Sequence, residues 1–233
     1  MKPSSALERG RDAFARQAWT DAFNQLSVAD RESPLEADDI ERLGLAAALI
    51  GRDDDSDALG ARACDAFVGR GELTRAARSA FWLGLRLFNR GEMGQGGGWL
   101  ARAQRLVEES GQDCVERGFL LAPAAIQHLS RGDGAAAAAL FEQAAQIADR
   151  HREPDLIALS RLGKGQALVL LGRITEGVSL LDEAMLTVTA GGVSPVPTGI
   201  VYCAVISECM KIFDLRRAHE WTSALSHWCE SQP

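Results

Sequence analysis

The residues that first invite a chemical reading are the glycines of Gly91-Glu-Met-Gly-Gln-Gly-Gly-Gly-Trp-Leu-Ala-Arg-Ala-Gln-Arg-Leu106. Gly94, Gly96, Gly97 and Gly98 lie within five residues, and a helix-like run with two arginines follows. A glycine-rich loop at a helix start can aim backbone N–H groups at a phosphate. The spacing argues against it here. A dinucleotide-binding G-x-G-x-x-G would need glycine where Trp99 stands, no strand pattern precedes it, and no Walker lysine follows. Gly163-Lys164-Gly165 lacks both the following Ser/Thr and the upstream glycine.

Other reactive side chains fare no better. His219 and His227 are eight residues apart and can share a helix face, but neither they nor His128 and His151 have a third ligand at zinc spacing. Asp53-Asp54-Asp55-Ser56 concentrates carboxylates without the spacing of a calcium loop, and reads as a helix start. Cys64, Cys114, Cys203, Cys209 and Cys229 are odd in number, widely spaced and without C-x-x-C, as expected of reduced, mostly buried thiols in a cytoplasmic protein. Cys203 and Cys209 fall on opposed helix faces. No G-x-S-x-G or H-E-x-x-H occurs. The expectation is therefore a protein that is not an enzyme, with no catalytic residue, no metal site and no cofactor.

The elements that position these residues follow a repeat. Gly91, Gly132 and Gly172 are each followed at offsets 5, 9 and 12 by a small, a large and a small residue. The sets are Gly96, Leu100, Ala103; Ala137, Phe141, Ala144; and Gly177, Leu181, Ala184. Similar turns are expected at Gln17 (before Ala22, Leu26 and Ala29), at Gly51, and at Phe213-Asp214. A glycine past a helix end takes the left-handed C-cap conformation, and the small residue lets two antiparallel helices approach closely. A lone hairpin cannot bury its apolar face, so hairpins stack. The fold expected is an all-α, right-handed solenoid of six hairpins, about twelve helices, forming a single domain over residues 1–233.

Helix starts are expected at Ser33-Pro34-Leu35-Glu36, read as a capping box with proline at the first helical position, and at Glu153-Pro154-Asp155. Pro123 should kink its helix or mark its true start. Residues 191–197 read as a rigid loop.

Composition closes off other classes. The 233 residues are 46% hydrophobic and carry a net charge of −7 without a polybasic run, so direct nucleic-acid or anionic-membrane binding is not expected. No apolar run approaches the roughly 20 residues of a membrane span, and the N-terminus lacks the apolar core of a signal peptide.

What remains is the groove that stacked hairpins create. Counting back from the turns, the first helix of each hairpin contributes Arg78, Phe81 and Asn89 in the third, Phe119 in the fourth, Gln166 in the fifth, and Ser207 and Lys211 in the sixth. An apolar lining with polar anchors suits a protein or peptide partner or a small effector, although the same residues could pack against neighbouring hairpins. The last hairpin carries Trp221, Leu225 and Trp228 as a stripe at helical spacing. No further repeat follows to cover it, and self-association as a homodimer through this C-terminal hairpin is expected.

The hairpin pattern resembles tetratricopeptide repeats, with a period near 40. Three stretches, Leu7–Phe23, Gly97–Leu120 and Ser194–Glu230, resemble the helical-repeat region of actinobacterial LuxR-type transcriptional regulators. The resemblance implies a sensory or interaction region that a DNA-binding helix-turn-helix domain usually follows. Neither that domain nor a P-loop is present, so the interaction role is carried over and the DNA-binding role is not. A stand-alone adaptor is the alternative expectation.

Overall fold

The computed structural model describes residues 5–230. Among them are thirteen helices and no strand: α1 (Ala6–Ala15), α2 (Trp19–Glu32), α3 (Ala37–Leu49), α4 (Asp53–Gly69), α5 (Leu73–Asn89), α6 (Met93–Ser110), α7 (Glu116–Phe119), α8 (Ala122–Ser130), α9 (Gly134–His151), α10 (Pro154–Leu170), α11 (Ile174–Thr189), α12 (Pro195–Lys211) and α13 (Leu215–Glu230). The fold is all-α, built of six helical hairpins, as the repeat implies. Contacts group the described helices into two compact units, residues 5–112 and residues 113–230.

One turn geometry makes all six hairpins. Gln17, Gly51, Gly91, Gly132, Gly172 and Phe213 sit in the left-handed region with φ of 62°, 74°, 83°, 80°, 77° and 59°. In each, the next residue's N–H donates to the carbonyl five positions back: Ala18 to Ala13, Arg52 to Ala47, Glu92 to Leu87, Asp133 to His128, Arg173 to Leu168 and Asp214 to Cys209, all at 2.9 Å. This is the six-to-one bond of a Schellman cap, which ends one helix on the turn that starts the next. The same turn at Gly71 (φ 73°) joins α4 to α5, between hairpins rather than within one. The period-40 reading passed over it.

The crossing within a hairpin is equally regular. The residue at offset 5 from the turn is Ala22, Ser56, Gly96, Ala137, Gly177 or Ala218, and every one is buried. Opposite it, seven positions before the turn, stand Gly10, Gly44, Gly84, Ala125 and Gly165 in the first five hairpins. A Cβ on Gly96 would come within 2.9 Å of the Gly84 carbonyl, and one on Gly177 within 2.7 Å of the Gly165 carbonyl. In the second hairpin the Ser56 hydroxyl donates to the Gly44 carbonyl at 2.9 Å. The large residue at offset 9 then covers the first helix: Leu26 lies on Gly10, Leu100 on Gly84 and Leu181 on Gly165. Small against small, with a leucine laid over the crossing, lets the backbones approach and removes apolar surface from water at once.

Two helix boundaries differ from expectation. Ser33 does not cap α3; it ends α2, with φ −159° and its N–H on the Ala29 carbonyl. A residue before proline is pushed toward extended backbone, so the chain runs extended to Glu36, the N-cap of α3, which makes no side-chain cap bond. The capping box lies instead at Ser5 and Glu8. The loop before α12 ends at Ser194, because Pro195 and Pro197 stand in the first turn of the helix, where no N–H is needed. Pro123 likewise lies in the first turn of α8 and separates it from the single turn of α7. Glu153 and Pro154 start α10 as expected, and its Asp155 carboxylate accepts the Ser194 N–H at 2.7 Å, tying that helix start to the next.

Ion pairs between successive hairpins repeat along each unit. Arg62 pairs with Asp30, and Arg75 with Asp38 and Glu41, in the first unit; Arg217 pairs with Asp182 in the second. Half-exposed pairs of this kind contribute little stability each, but their spacing of one repeat fixes which helix faces which.

Candidate functional site

The glycine stretch resolves into three roles. Gly91 makes the turn and Gly96 the close crossing. Gly94, Gly97 and Gly98 have no atom within 4 Å of where a Cβ would stand. The start of α6 carries an acid: Glu92 is the N-cap residue, held by Arg90 Nε at 3.0 Å and Gln95 Nε2 at 3.1 Å. It borders a hollow of about 320 Å³ between α4, α5 and α6, lined by Asp54, Asp57, Leu83, Leu87, Arg90 and Trp99 among others. Arg90 is engaged by Asp57 and Glu92, which raise its pKa further. A phosphate there would meet three carboxylates against one neutralised guanidinium.

The other candidate chemistry disperses. His128 Nδ1 lies 3.0 Å from Asp133 Oδ2 and closes the α8–α9 turn. Asp53, Asp54 and Asp55 fill the first turn of α4 without a side-chain cap, beside the positive end of the helix. Cys64, Cys114 and Cys209 are buried; Cys203 and Cys229 are exposed. Burial pushes the Cys209 thiol up to about 11 and raises Cys64 as well. No three His, Cys, Asp or Glu side chains converge as a metal site requires, among the described residues. None of their helices is long and apolar enough to cross a membrane.

The expected groove residues divide. Phe81 and Phe119 are 2% and 1% exposed, so both belong to the core and neither can line an open groove. Phe81 lies on α5, the first helix of the third hairpin, whereas Phe119 falls in the short α7 that precedes α8, the first helix of the fourth. Arg78 is half-buried and Asn89 exposed on α5, in the first unit. In the second unit, α10 packs directly against α8 and α12. Gln166 is half-buried on α10, while Ser207 and Lys211 are exposed on α12. Lys211 Nζ reaches the buried Glu208 at 2.9 Å. Three of the expected residues thus share one pair of adjacent helices.

The C-terminal stripe turns inward. Trp221, Leu225 and Trp228 are half-buried on the cluster of Leu181, Met185, Val201, Tyr202 and Val205. The Trp228 and Tyr202 rings are 6.1 Å apart. The stripe packs onto α12 of its own hairpin and α11 of the fifth rather than lying open.

Sequence reasoning missed the most exposed aromatic. Phe213 is 85% exposed in the left-handed turn position. Beside it lies a hollow of about 650 Å³ lined by Ile174, Thr175, Val178, Ser179, Ile212 and Arg217 among others. The available signal was the departure from the repeat: phenylalanine where four of the other five hairpins have glycine.

These features define a tetratricopeptide-like helical-repeat fold. Among solved structures, the Rap protein complexed with competence and sporulation factor matches 97% of this chain and 70% of that chain, with a TM-score of 0.60 at 14% identity. The TPR2AB domain of yeast Sti1, in its pHSP90 complex, matches 94% of this chain and 87% of that one, but its TM-score of 0.35 at 11% identity bears no weight. No protein-family model matches the chain, and no curated protein matches it in sequence.

Proposed function

We propose that the chain is a non-catalytic interaction or sensor module that binds a protein, a peptide or a small effector along its first helices. The observation that carries this reading is the α10–α12 face of the second unit. There Gln166 stands one turn before the exposed Leu170 on α10, and Ser207 and Lys211 are exposed on the adjacent α12. Apolar surface with a few polar anchors is what helical-repeat grooves use to hold a segment in register. The complex of the Rap protein with its factor supports it by analogy of fold. Arg78 and Asn89 are the corresponding candidates in the first unit. The same proposal covers residues 1–233 as a single repeat domain, a cytoplasmic location, and self-association through the C-terminal hairpin. It also includes kinship with the sensory region of LuxR-type regulators; an in-frame helix-turn-helix domain beyond residue 233 would support that kinship. A gene that ends there would favour the stand-alone adaptor.

Selection from a displayed peptide library tests the groove. Enriched peptides should bind the purified chain with micromolar affinity by fluorescence anisotropy. Lys211→Glu together with Gln166→Ala should weaken them at least tenfold. Binding indifferent to both substitutions, or no enrichment, would remove the groove assignment.

A further inference from the structure

A helix repeats every 3.6 residues or so, hence the positions two, six, nine and thirteen before a hairpin turn lie along one stripe of each first helix. In the first unit that stripe holds Glu8 and Arg11 on α1, Asp38 and Arg42 on α3, and Arg78 on α5. In the second unit, across α8, α10 and α12, its only charged residue is Lys211. The repeat itself therefore does not demand an uncharged stripe; the second unit alone has one.

The stripe opens to solvent near the turns. Ile126 and Ser130 on α8, Gln166 and Leu170 on α10, and Ser207 and Lys211 on α12 stand six and two residues before their turns. α10 packs against both α8 and α12, so these six form a grid of three helices by two rows. Ile126 and Leu170 are 49% and 46% exposed. Neither the Gln166 amide nor the Ser207 hydroxyl has a hydrogen-bond partner among the described residues. Lys211 is paired with Glu208 at 2.9 Å, which leaves the grid without net charge.

These properties select an occupant. A charged side chain laid on the grid would give up water and meet no opposite charge, which is costly. A backbone peptide group is accommodated, because a primary amide supplies both a donor and an acceptor to it. The geometry suits an extended chain. Packed helix axes lie about 8–10 Å apart, and an extended segment rises about 3.1–3.4 Å per residue. Such a segment passes from one first helix to the next in about three residues.

We propose that the α8–α10–α12 face takes an extended peptide segment free of charged side chains. Gln166 and Ser207 hold its backbone, and two apolar side chains about three residues apart rest on Ile126 and Leu170. This rests on the groove reading of the proposed function and names the chemistry of its occupant.

The test pans a displayed library of random seven-residue peptides against the full chain. Enriched peptides should be depleted in Asp, Glu, Lys and Arg relative to the input library. One enriched peptide is then compared by fluorescence anisotropy with two copies carrying a lysine or a glutamate between its apolar residues. Each copy should bind wild type at least tenfold more weakly. A charge swap separates occupancy from mere loss of structure. Gln166→Glu should improve the lysine copy at least tenfold over its binding to wild type, and Leu170→Lys should do the same for the glutamate copy. No enrichment, or binding that no substitution on α10 or α12 alters, overturns both the inference and the groove reading. Enriched peptides that are rich in charge, yet weakened by Lys211→Glu with Gln166→Ala, overturn the uncharged occupant alone.

Discussion

Gly96 and Gly98, two positions apart in one helix, should respond to alanine with opposite signs. At Gly98 an added Cβ meets nothing within 4 Å, so Gly98→Ala gains the difference in helix propensity, about 1 kcal/mol. At Gly96 the same methyl would lie 2.7 Å from Phe88 Cδ2, 2.9 Å from the Gly84 carbonyl oxygen and 3.1 Å from the Phe88 backbone nitrogen. The ring can turn aside, but the carbonyl belongs to α5 and moves only if the helices separate. Overpacking of this kind costs roughly 2–3 kcal/mol. After the helix-propensity gain, Gly96→Ala should lose about 1–2 kcal/mol. The two single variants should therefore differ by roughly 2–3 kcal/mol, or about 5–10 °C in melting temperature for a chain of this size. Thermal and urea unfolding followed by helical circular dichroism would measure both. Equal melting temperatures would refute the close crossing of α5 and α6, and with it the reason for a small residue at that place in every hairpin.

Other outcomes follow from the same geometry. Hydrogen bonds from Arg75 and Arg70 hold the Asp38 carboxyl at about 2, well below the ordinary aspartate range. A depressed folded-state value means that its contribution is complete above about pH 4 and is lost as pH falls toward 2; the acid-unfolding curve of Asp38→Asn should be flatter over that window than that of wild type. Cys203 and Cys229 should react with a thiol reagent at once, whereas Cys64, Cys114 and Cys209 should wait for unfolding; five equally fast thiols would contradict the burial. Calorimetry with ATP, NAD or GTP should register no binding, since Asp54, Asp57 and Glu92 face the hollow at the start of α6; micromolar affinity abolished by Gly97→Val would reverse that conclusion.

The hairpins were legible in the sequence because their causes are local. A left-handed cap calls for a particular residue type at one position, and helical periodicity sets the residues at offsets 5, 9 and 12. Both leave a mark in linear spacing, so the turns at Gly51, Gly91, Gly132 and Gly172 could be found, and even Gln17 and Phe213 by extrapolation. The turn at Gly71 escaped because it links hairpins and breaks the period. The partner glycines Gly10, Gly44, Gly84 and Gly165 escaped for a different reason: their role lies in the contact with another helix, and only the crossing shows that a Cβ there has no room. The capping box read at Ser33 failed because Pro34 acts on the residue before it.

Exposure was decided by tertiary structure alone. Phe81, Phe119 and Phe213 are the same side chain, on the first helix of a hairpin, on the short helix before one, and in a hairpin turn. Two are buried, and the third stands almost wholly in water. Trp221, Leu225 and Trp228 formed the stripe that helical spacing demanded, yet the face they present is set by the packing of α13 on α12. Periodicity determines which residues share a face; which faces meet depends on the angle and neighbours of each helix, and these arise from long-range packing that no local spacing encodes.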